Sequence, residues 1–233
     1  MKINFEIKSP NFTVRKNNEK IDTIIIHYTG MENYKEALSR LCDNKAKVSA
    51  HYFINREGKL WQLVEDNYVA WHAGISKWLQ RVNLNETSIG IELCNPGHEN
   101  KYMEFTEFQY ESLEWLIKKL MDKYNIFSDR VLGHSDIAPD RKIDPGEKFD
   151  WQRLARNKLA LWPNKILIPE DNNTDIDCYL TNIGYDTNIN FNSRLKAFKR
   201  HFIPEDNSLI INKKVINIAY SVNEEFKKIR SLY

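Results

Sequence analysis

The longest aliphatic run of the chain lies in D-T-I-I-I-H, residues 22–27. Its three consecutive isoleucines are β-branched, and the segment has too few polar positions for a strand with one solvated face. We therefore expect a central strand whose two faces are both covered. Because ligands gather at strand ends in open sheets, His27 at the end of this strand becomes a candidate site residue.

Three further strands are predicted after it. Residues 51–55 and 59–64 are apolar runs separated by R-E-G, in which Gly58 can supply the positive φ of a short hairpin loop. In residues 87–94, apolar side chains alternate with Ser, Gly and Glu, which is the period-2 pattern of a strand. Glu92 then faces away from the isoleucines of that segment.

Three segments predict helices beside these strands. Residues 34–41 form a short amphipathic candidate. A capping box, T-E-F-Q at residues 106–109, precedes apolar residues that recur at helical spacing as far as Tyr124. Another helix is expected at residues 151–161, before Pro163. Together these elements predict an α+β domain, in which helices flank a mixed central sheet.

A long loop follows a short strand at residues 131–133. It reads G-H-S-D-I-A-P-D-R-K-I-D-P-G, residues 133–146, and we expect Pro139, Pro145 and Gly146 to exclude a regular element from it. Loops of this length between a strand and a helix are usually functional.

Two histidines and one aspartate suggest a metal site. His27 ends one apolar strand and His134 follows another, and Asp144 lies ten residues after His134 on a loop that can fold back. Such a set gives zinc three protein ligands and leaves a fourth position for water, as in hydrolytic sites. Spacing alone favours the alternative, in which the histidines are satisfied core residues and Asp144 is a turn residue before Pro145.

Residues 133–151, which contain this loop, resemble the zinc-binding signature of the type 2 N-acetylmuramoyl-L-alanine amidases, relatives of peptidoglycan recognition proteins. Further matches occur in the family's order: I-I-I-H-Y-T (24–29), S-A-H-Y-F-I (49–54), W-Q-L-V (61–64), A-W-H-A-G-I-S (70–76) and S-I-G-I-E-L (88–93). Together they span nearly all of residues 20–152, and an ordered set of this kind is specific. The resemblance implies a fold like that of the peptidoglycan recognition proteins.

The resemblance also implies roles for individual residues. His27, His134 and Asp144 match the family's ligands for one zinc ion per chain, Glu92 its acidic catalytic residue and Lys142 a lysine near the metal. A carboxylate can take a proton from water and deliver it to the leaving amine, and a lysine can stabilise an oxyanion. The alternatives are a solvated glutamate on a strand and a solvated lysine in a loop.

Three aromatic side chains are candidate substrate-binding residues. His72 lies in the family-like block A-W-H-A-G, which the resemblance places in the substrate groove, and a structural role is equally open to it. Tyr28 and Trp71 could stack on sugar or peptide, although aromatic residues beside strands more often belong to the core. We expect His51 to be structural.

A linker is predicted at residues 169–174, P-E-D-N-N-T, because this segment is polar and turn-forming. It divides the chain into an amidase domain, residues 1–168, and a small C-terminal domain, residues 175–233. Three short helices are expected in the second domain, at residues 175–183, 192–201 and 213–226.

The C-terminal part has a weaker resemblance of its own. The segments Y-L-T-N-I-G-Y-D-T (179–187) and R-L-K-A-F-K-R-H-F-I-P (194–204) are similar to the three-helix peptidoglycan-binding module that often accompanies such amidases. Lys199 stands where that module usually has glutamine, and the usual D-G after the middle helix is missing. A structural tail packed on the catalytic domain therefore stays open as the alternative.

Composition excludes several classes of partner. The 233 residues contain 34 Lys and Arg against 32 Asp and Glu, a net charge of +2, so no strong field attracts nucleic acid or anionic lipid. No apolar run approaches the roughly 20 residues that cross a bilayer. The three cysteines are widely separated, and we expect buried free thiols rather than disulfides or a thiolate zinc site.

The resemblance implies zinc-dependent hydrolysis of the amide between N-acetylmuramic acid and L-alanine, for cell-wall remodelling or recycling. Peptidoglycan and soluble (anhydro)muropeptides are both open as substrates, and we expect a monomer. The alternative is a non-catalytic peptidoglycan receptor, but such relatives typically lack a zinc ligand. The C-terminal module favours the cell envelope or periplasm, whereas the absence of a visible secretory signal favours the cytoplasm.

Overall fold

The computed structural model describes residues 1–16, 19–170 and 175–231. The strands in these ranges are β1 Ile3–Asn4, β2 Phe12–Val14, β3 Thr23–Tyr28, β4 Tyr52–Ile54, β5 Leu60–Gln62, β6 Tyr68–Ala70, β7 Lys77–Trp78, β8 Arg81–Val82, β9 Ser88–Leu93 and β10 Val131–Gly133. The α-helices are α1 Tyr34–Cys42, α2 Glu107–Tyr124, α3 His134–Ile137, α4 Trp151–Arg156, α5 Ile176–Ile183, α6 Phe191–Phe202 and α7 Lys213–Arg230. None of these helices is long and apolar enough to span a membrane.

Six strands form one mixed sheet in the order β1-β5-β4-β9-β3-β10. The neighbours β4, β9, β3 and β10 run parallel to one another, whereas β4 and β5 pair antiparallel as the predicted hairpin. Strand β3 lies inside the sheet between β9 and β10, and its isoleucines are fully buried. The α+β class, with a mixed sheet flanked by helices, is confirmed.

Different helices cover the two faces of this sheet. Ile24 and Ile26 belong to an apolar cluster that includes Leu116 of α2. Ile25 belongs to a second cluster, with Phe198 of α6 and other side chains of α5 and α7. Because successive residues of a strand point to opposite faces, the run of isoleucines requires a cover on both sides. The C-terminal helices provide the second cover.

Helix α2 begins as the sequence predicts. Thr106 Oγ1 accepts a hydrogen bond from the N–H of Gln109 (3.2 Å), and Oε1 of Gln109 accepts one from the N–H of Thr106 (3.1 Å). These two bonds satisfy donors that a helix start leaves free. Gly58 in the hairpin loop has φ of 74°, and a Cβ there would lie 2.5 Å from the carbonyl oxygen of Phe108. Glycine therefore lets the hairpin approach the helix.

The expectation of no regular element in residues 133–146 is wrong, because the helical turn α3 occupies His134–Ile137. The carboxylate of Asp136 accepts a hydrogen bond from the N–H of Gly133 (2.8 Å), which satisfies a donor at the start of the turn. Pro139 lies beyond the end of α3, where it interrupts no helical hydrogen bond.

Helix α4 is shorter than the predicted helix at residues 151–161. It ends at Arg156 in a Schellman motif: the N–H of Lys158 bonds to the carbonyl of Ala155 (2.8 Å), and that of Leu159 to the carbonyl of Leu154 (2.9 Å). Lys158 has φ of 61°, a conformation usually taken by glycine. Leu159 and Leu154 belong to the same apolar cluster. Apolar packing therefore stabilises this helix end, which no glycine in the sequence indicates.

Helices α5, α6 and α7 confirm the three helices predicted after the linker, although α7 continues to Arg230. Residues 171–174 of the predicted linker 169–174 lie outside the described residues. The division into two domains stays a prediction. The described parts on either side share the cluster around Ile25.

Lys199, at which the C-terminal part departs from the module that it resembles, is fully buried. Its Nζ donates hydrogen bonds to Oδ2 of Asp206 (2.8 Å) and to the carbonyls of Ser208 (2.9 Å) and Ile210 (2.7 Å). The hydrogen bond from Lys199 is also the main cause that lowers the pKa of Asp206 to about 2. An ammonium group has three donors, so Lys199 is fully engaged in holding the connection between α6 and α7.

The cysteines depart from the expectation of three buried thiols. Cys94 is buried, but Cys42 is half-buried and Cys178 is exposed. Cys178 lies on the solvent side of α5, because the apolar side of that helix packs into the core. All three thiols are free, as expected.

Candidate active site

The three residues predicted to bind zinc converge at one edge of the sheet. The Nδ1 atoms of His27 and His134 lie 3.0 Å apart. Oδ2 of Asp144 lies 3.0 Å from Nδ1 of His27 and 3.1 Å from Nδ1 of His134. All three side chains are buried. Three potential ligand atoms therefore form a nearly equilateral triangle.

Strand pairing and one loop contact explain this convergence. Strands β3 and β10 are parallel neighbours, so His27 near the end of β3 and His134 directly after β10 reach the same edge. The loop returns Asp144 to this edge, where its carbonyl accepts a hydrogen bond from the N–H of Ser135 (2.9 Å).

The donor set fits a zinc ion. Ligand atoms around a tetrahedral zinc with bonds of about 2.0–2.1 Å lie about 3.3 Å apart, close to the separations seen here. The second ring nitrogen of each histidine is also held: Nε2 of His27 lies 3.0 Å from Nδ1 of His72, and Nε2 of His134 lies 3.1 Å from the carbonyl oxygen of Ala73. Such outer contacts orient metal-binding imidazoles.

The protonation states also suit a metal. Burial lowers the pKa of His27 to about 4, so its imidazole is neutral at pH 7. Burial raises the pKa of Asp144, but the charge and hydrogen bonds of His134 and His27 outweigh it and hold this pKa well below its usual range. A neutral imidazole and an ionised carboxylate are the forms that bind metal ions.

His72 lies directly behind His27. Its Nε2 is 3.3 Å from the hydroxyl of Ser88, and its ring rests on Gly90, where a Cβ would lie 2.4 Å from the ring. A side chain at position 90 would therefore displace His72. This contact gives the glycine in S-I-G-I-E-L a physical role that its place in a strand did not reveal.

Glu92 lies beside the three candidate ligands. It is the register partner of His27 in the β3–β9 pair, so the two side chains lie on the same face of the sheet. Its Oε2 is shielded from solvent and has no hydrogen-bond partner among the described residues. Burial, with a further contribution from the charge of Asp144, raises the pKa of Glu92 to about 8. This carboxyl group can therefore gain and lose a proton near neutral pH.

A cleft of about 450 Å³ opens over this group. Every side chain predicted as a site residue lines it: His27, Tyr28, Trp71, His72, Glu92, His134, Lys142 and Asp144. Trp71 and Lys142 are both half-buried.

The cleft also contains residues that the sequence did not single out. His98 lies on its wall, with Nδ1 at 2.8 Å from the hydroxyl of Tyr28 and Nε2 at 2.9 Å from Oε2 of Glu147. Arg141 also lines the cleft, and its guanidinium donates to the carbonyl of Ile75 (3.0 Å). The signal for Arg141 was its place beside Lys142 in the motif, whereas no local pattern pointed to His98.

His51 lies outside the cleft lining and is fully buried. Its Nδ1 accepts a hydrogen bond from the N–H of Gly90 (3.0 Å), and its Nε2 lies 3.1 Å from the carbonyl oxygen of Tyr68. Burial lowers the pKa of His51 to about 4. These contacts are those of a neutral structural histidine.

Two buried imidazoles, a carboxylate and a protonatable glutamate in a cleft form the kind of site that metal-dependent hydrolases use. A family model described as N-acetylmuramoyl-L-alanine amidase matches residues 17–147, more than half of the chain. The chain belongs to this N-acetylmuramoyl-L-alanine amidase family.

Individual relatives agree with this assignment. The N-acetylmuramoyl-L-alanine amidase AmiD of Escherichia coli K12 is 35% identical over 210 residues. This match covers 78% of this chain and 75% of AmiD. The 1,6-anhydro-N-acetylmuramyl-L-alanine amidase AmpD of Haemophilus influenzae is 37% identical over 166 residues, 64% of this chain and 88% of AmpD.

Solved structures extend the similarity to the whole fold. AmiD in complex with the substrate anhydro-N-acetylmuramic acid-L-Ala-D-γ-Glu-L-Lys is 30% identical, with a TM-score of 0.78 over 91% of this chain and 92% of that chain. AmpDh3 from Pseudomonas aeruginosa in complex with anhydromuramic pentapeptide is 27% identical, with a TM-score of 0.79 over 94% of this chain and 98% of that chain.

Proposed function

We propose that this chain hydrolyses the amide bond between N-acetylmuramic acid and L-alanine, with one zinc ion held by His27, His134 and Asp144. The triangle of three buried ligand atoms, 3.0–3.1 Å on each side and next to Glu92, carries the proposal. An amide is a poor electrophile, so its hydrolysis requires an activated water and a polarised carbonyl. A bound zinc ion supplies both, since it acts as a Lewis acid and lowers the pKa of water to about 7.

Glu92 moves the proton in this reaction. Its buried oxygen without a partner takes a proton from the attacking water and then delivers it to the nitrogen of L-alanine, the leaving group. Lys142, on the cleft wall, stabilises the negative oxygen that develops on the former carbonyl.

The other cleft residues hold the substrate or the ligands. Tyr28 and Trp71 contact the sugar or the stem peptide, and the hydrogen bond between Tyr28 and His98 (2.8 Å) fixes the orientation of the tyrosine ring. His72 orients His27 through the 3.0 Å contact between them. We infer that anhydromuropeptides are among the substrates, because AmiD and AmpDh3 have been solved with such molecules.

The site is complete within one chain, so we propose that the enzyme acts as a monomer. The helical segment of residues 175–231 favours work on peptidoglycan and thus in the cell envelope. Since Lys199 is fully engaged in internal hydrogen bonds, any glycan binding by this segment would use other residues.

Mass spectrometry of an anhydromuropeptide incubated with the zinc-loaded protein tests the proposal. We expect a free stem peptide with a new amino terminus on L-alanine, together with the anhydro sugar. Chelation of the metal should stop the reaction and zinc should restore it. A substrate that binds but stays intact would instead support the non-catalytic receptor.

Two variants assign the roles within the site. Glu92→Gln should retain zinc but lose about 10²-fold or more in kcat, because an amide cannot accept the proton of water. His134→Ala should lose both zinc and activity while its circular dichroism spectrum stays that of the wild type, because the site is catalytic in type. A Glu92→Gln variant with wild-type kcat would remove Glu92 from the mechanism.

A further inference from the structure

Asp136 is a buried carboxylate that the proposed mechanism does not use. It lies in α3, two residues after His134, and is almost fully buried. Its Oδ2 accepts hydrogen bonds from the N–H of Gly133 (2.8 Å) and from Nδ1 of His201 (2.8 Å), and its Oδ1 accepts one from the hydroxyl of Tyr185 (2.8 Å). A buried carboxylate is costly unless it has donors of this kind.

Two of the three donors come from the C-terminal helical segment. Tyr185 follows α5 and packs its ring at 5.0 Å from that of Trp78. His201 belongs to α6, and its ring stacks at 4.0 Å on Trp151 and at 4.0 Å on Phe202. Aromatic packing therefore holds both donor side chains in place beside the carboxylate.

The turn that these donors hold also carries a candidate metal ligand. Helix α3 has four residues and begins with His134, and a single helical turn has little stability of its own. Its carboxylate joins the end of β10, through Gly133, to the C-terminal helices. Movement of Asp136 would tilt this turn and change the direction of the His134 ring.

We propose that Tyr185 and His201 are positioning residues for the metal centre: through Asp136 they fix α3 and thereby direct Nδ1 of His134 toward His27 and Asp144. The inference rests on the proposed zinc site. It makes the C-terminal segment a part of the catalytic structure, in addition to any binding of polymeric substrate.

Zinc affinity tests this role independently of activity. The dissociation constant is measured by competition with a chromophoric chelator for the wild type, Tyr185→Phe and His201→Leu, and Co²⁺ replaces zinc for a visible spectrum that reports ligand geometry. We expect each variant to bind zinc about 10-fold more weakly, as is common for lost outer contacts of a metal site, and to change the Co²⁺ spectrum. His201→Asn, whose side-chain amide can donate in place of Nδ1, should recover part of the affinity.

A matched control separates positioning from general loss of stability. Val222→Ala removes volume from the same apolar cluster in α7 without touching Asp136, and should leave zinc affinity and the Co²⁺ spectrum unchanged. Because Tyr185 and His201 act through one carboxylate, the double variant should lose less than the product of the two single effects.

The results that would overturn the inference are specific. Wild-type zinc affinity in Tyr185→Phe, which removes a single oxygen atom, would exclude the positioning role, as would an equal loss in Val222→Ala. A wild-type protein that binds no zinc would instead refute the proposed metal site itself.

Discussion

Removal of every residue after Glu170 should unfold the chain or leave it barely stable. The predicted linker alone would suggest the opposite, that residues 1–170 fold independently. In the structure, however, the C-terminal helices share an apolar cluster with the side chains of the second sheet face and its surroundings, namely Ile25, Ala73, Trp78, Leu84, Leu132, Ile137 and Leu161. All seven are buried, and truncation would expose them to water.

The expected loss in the free energy of unfolding is comparable to the whole stability of a small domain. Full exposure of a large apolar side chain costs about 1.5–3 kcal/mol, so exposing about half of each of the six larger residues costs roughly 5–9 kcal/mol. Small domains have only about 5–15 kcal/mol in total. Asp136 would also lose the hydrogen bonds from Tyr185 and His201, which adds the cost of an incompletely paired buried carboxylate.

Urea unfolding followed by circular dichroism, with zinc content measured on the same samples, checks this prediction. The chain of 233 residues provides the control. A truncated chain that unfolds cooperatively at the wild-type midpoint and cleaves a soluble muropeptide at the wild-type rate would refute the reasoning. That result would mean that the remaining residues of the cluster around Ile25 can be exposed to solvent with little loss in the free energy of unfolding.

Three further outcomes are expected. Lys142→Ala should lower kcat by about 10²-fold if the lysine stabilises the oxyanion, whereas Lys118→Ala, exposed on α2, should be silent; a change in KM alone would make Lys142 a substrate-binding residue. Lys199→Met should cost about 1–3 kcal/mol in urea unfolding, because it removes three hydrogen bonds of a buried ammonium group; an unchanged midpoint would contradict the contacts described. In the folded chain the pKa of His51 is lowered from 6.5 to about 4. On acidification the unfolded chain therefore binds a proton at this histidine at a higher pH than the folded chain, and the free energy of unfolding should fall as the pH drops from 6.5 toward 4. If His51 contributes, His51→Asn should reduce the dependence of stability on pH over that range.

Much of the fold could be predicted from local pattern. The isoleucine run of β3, the alternation of β9 and the capping box of α2 each have a physical cause within a few neighbouring residues, namely the pleat of a strand or the free donors of a helix start. For the candidate ligands, pattern placed His27 at the end of a strand and His134 after another, but the resemblance to the amidases was needed to make them zinc ligands. The structure then shows that the two strands are parallel neighbours. Sequence pattern was less reliable where packing determines the end of a helix. After α4, for example, Lys158 adopts the positive φ that glycine usually takes.

The remaining features depend on contacts between residues far apart in the chain, which have no period or spacing of their own. Sequence pattern predicted that both faces of β3 are covered, but only the packed structure shows that α5, α6 and α7 form the second cover. The register of β3 and β9 places Glu92 beside His27, and the space over Gly90 admits the ring of His72. The hydrogen bonds of Tyr185 and His201 to Asp136 span 49 and 65 residues. Such contacts depend on which elements the tertiary structure brings together. A buried polar group needs a hydrogen-bond partner, and that partner can come from any part of the folded chain.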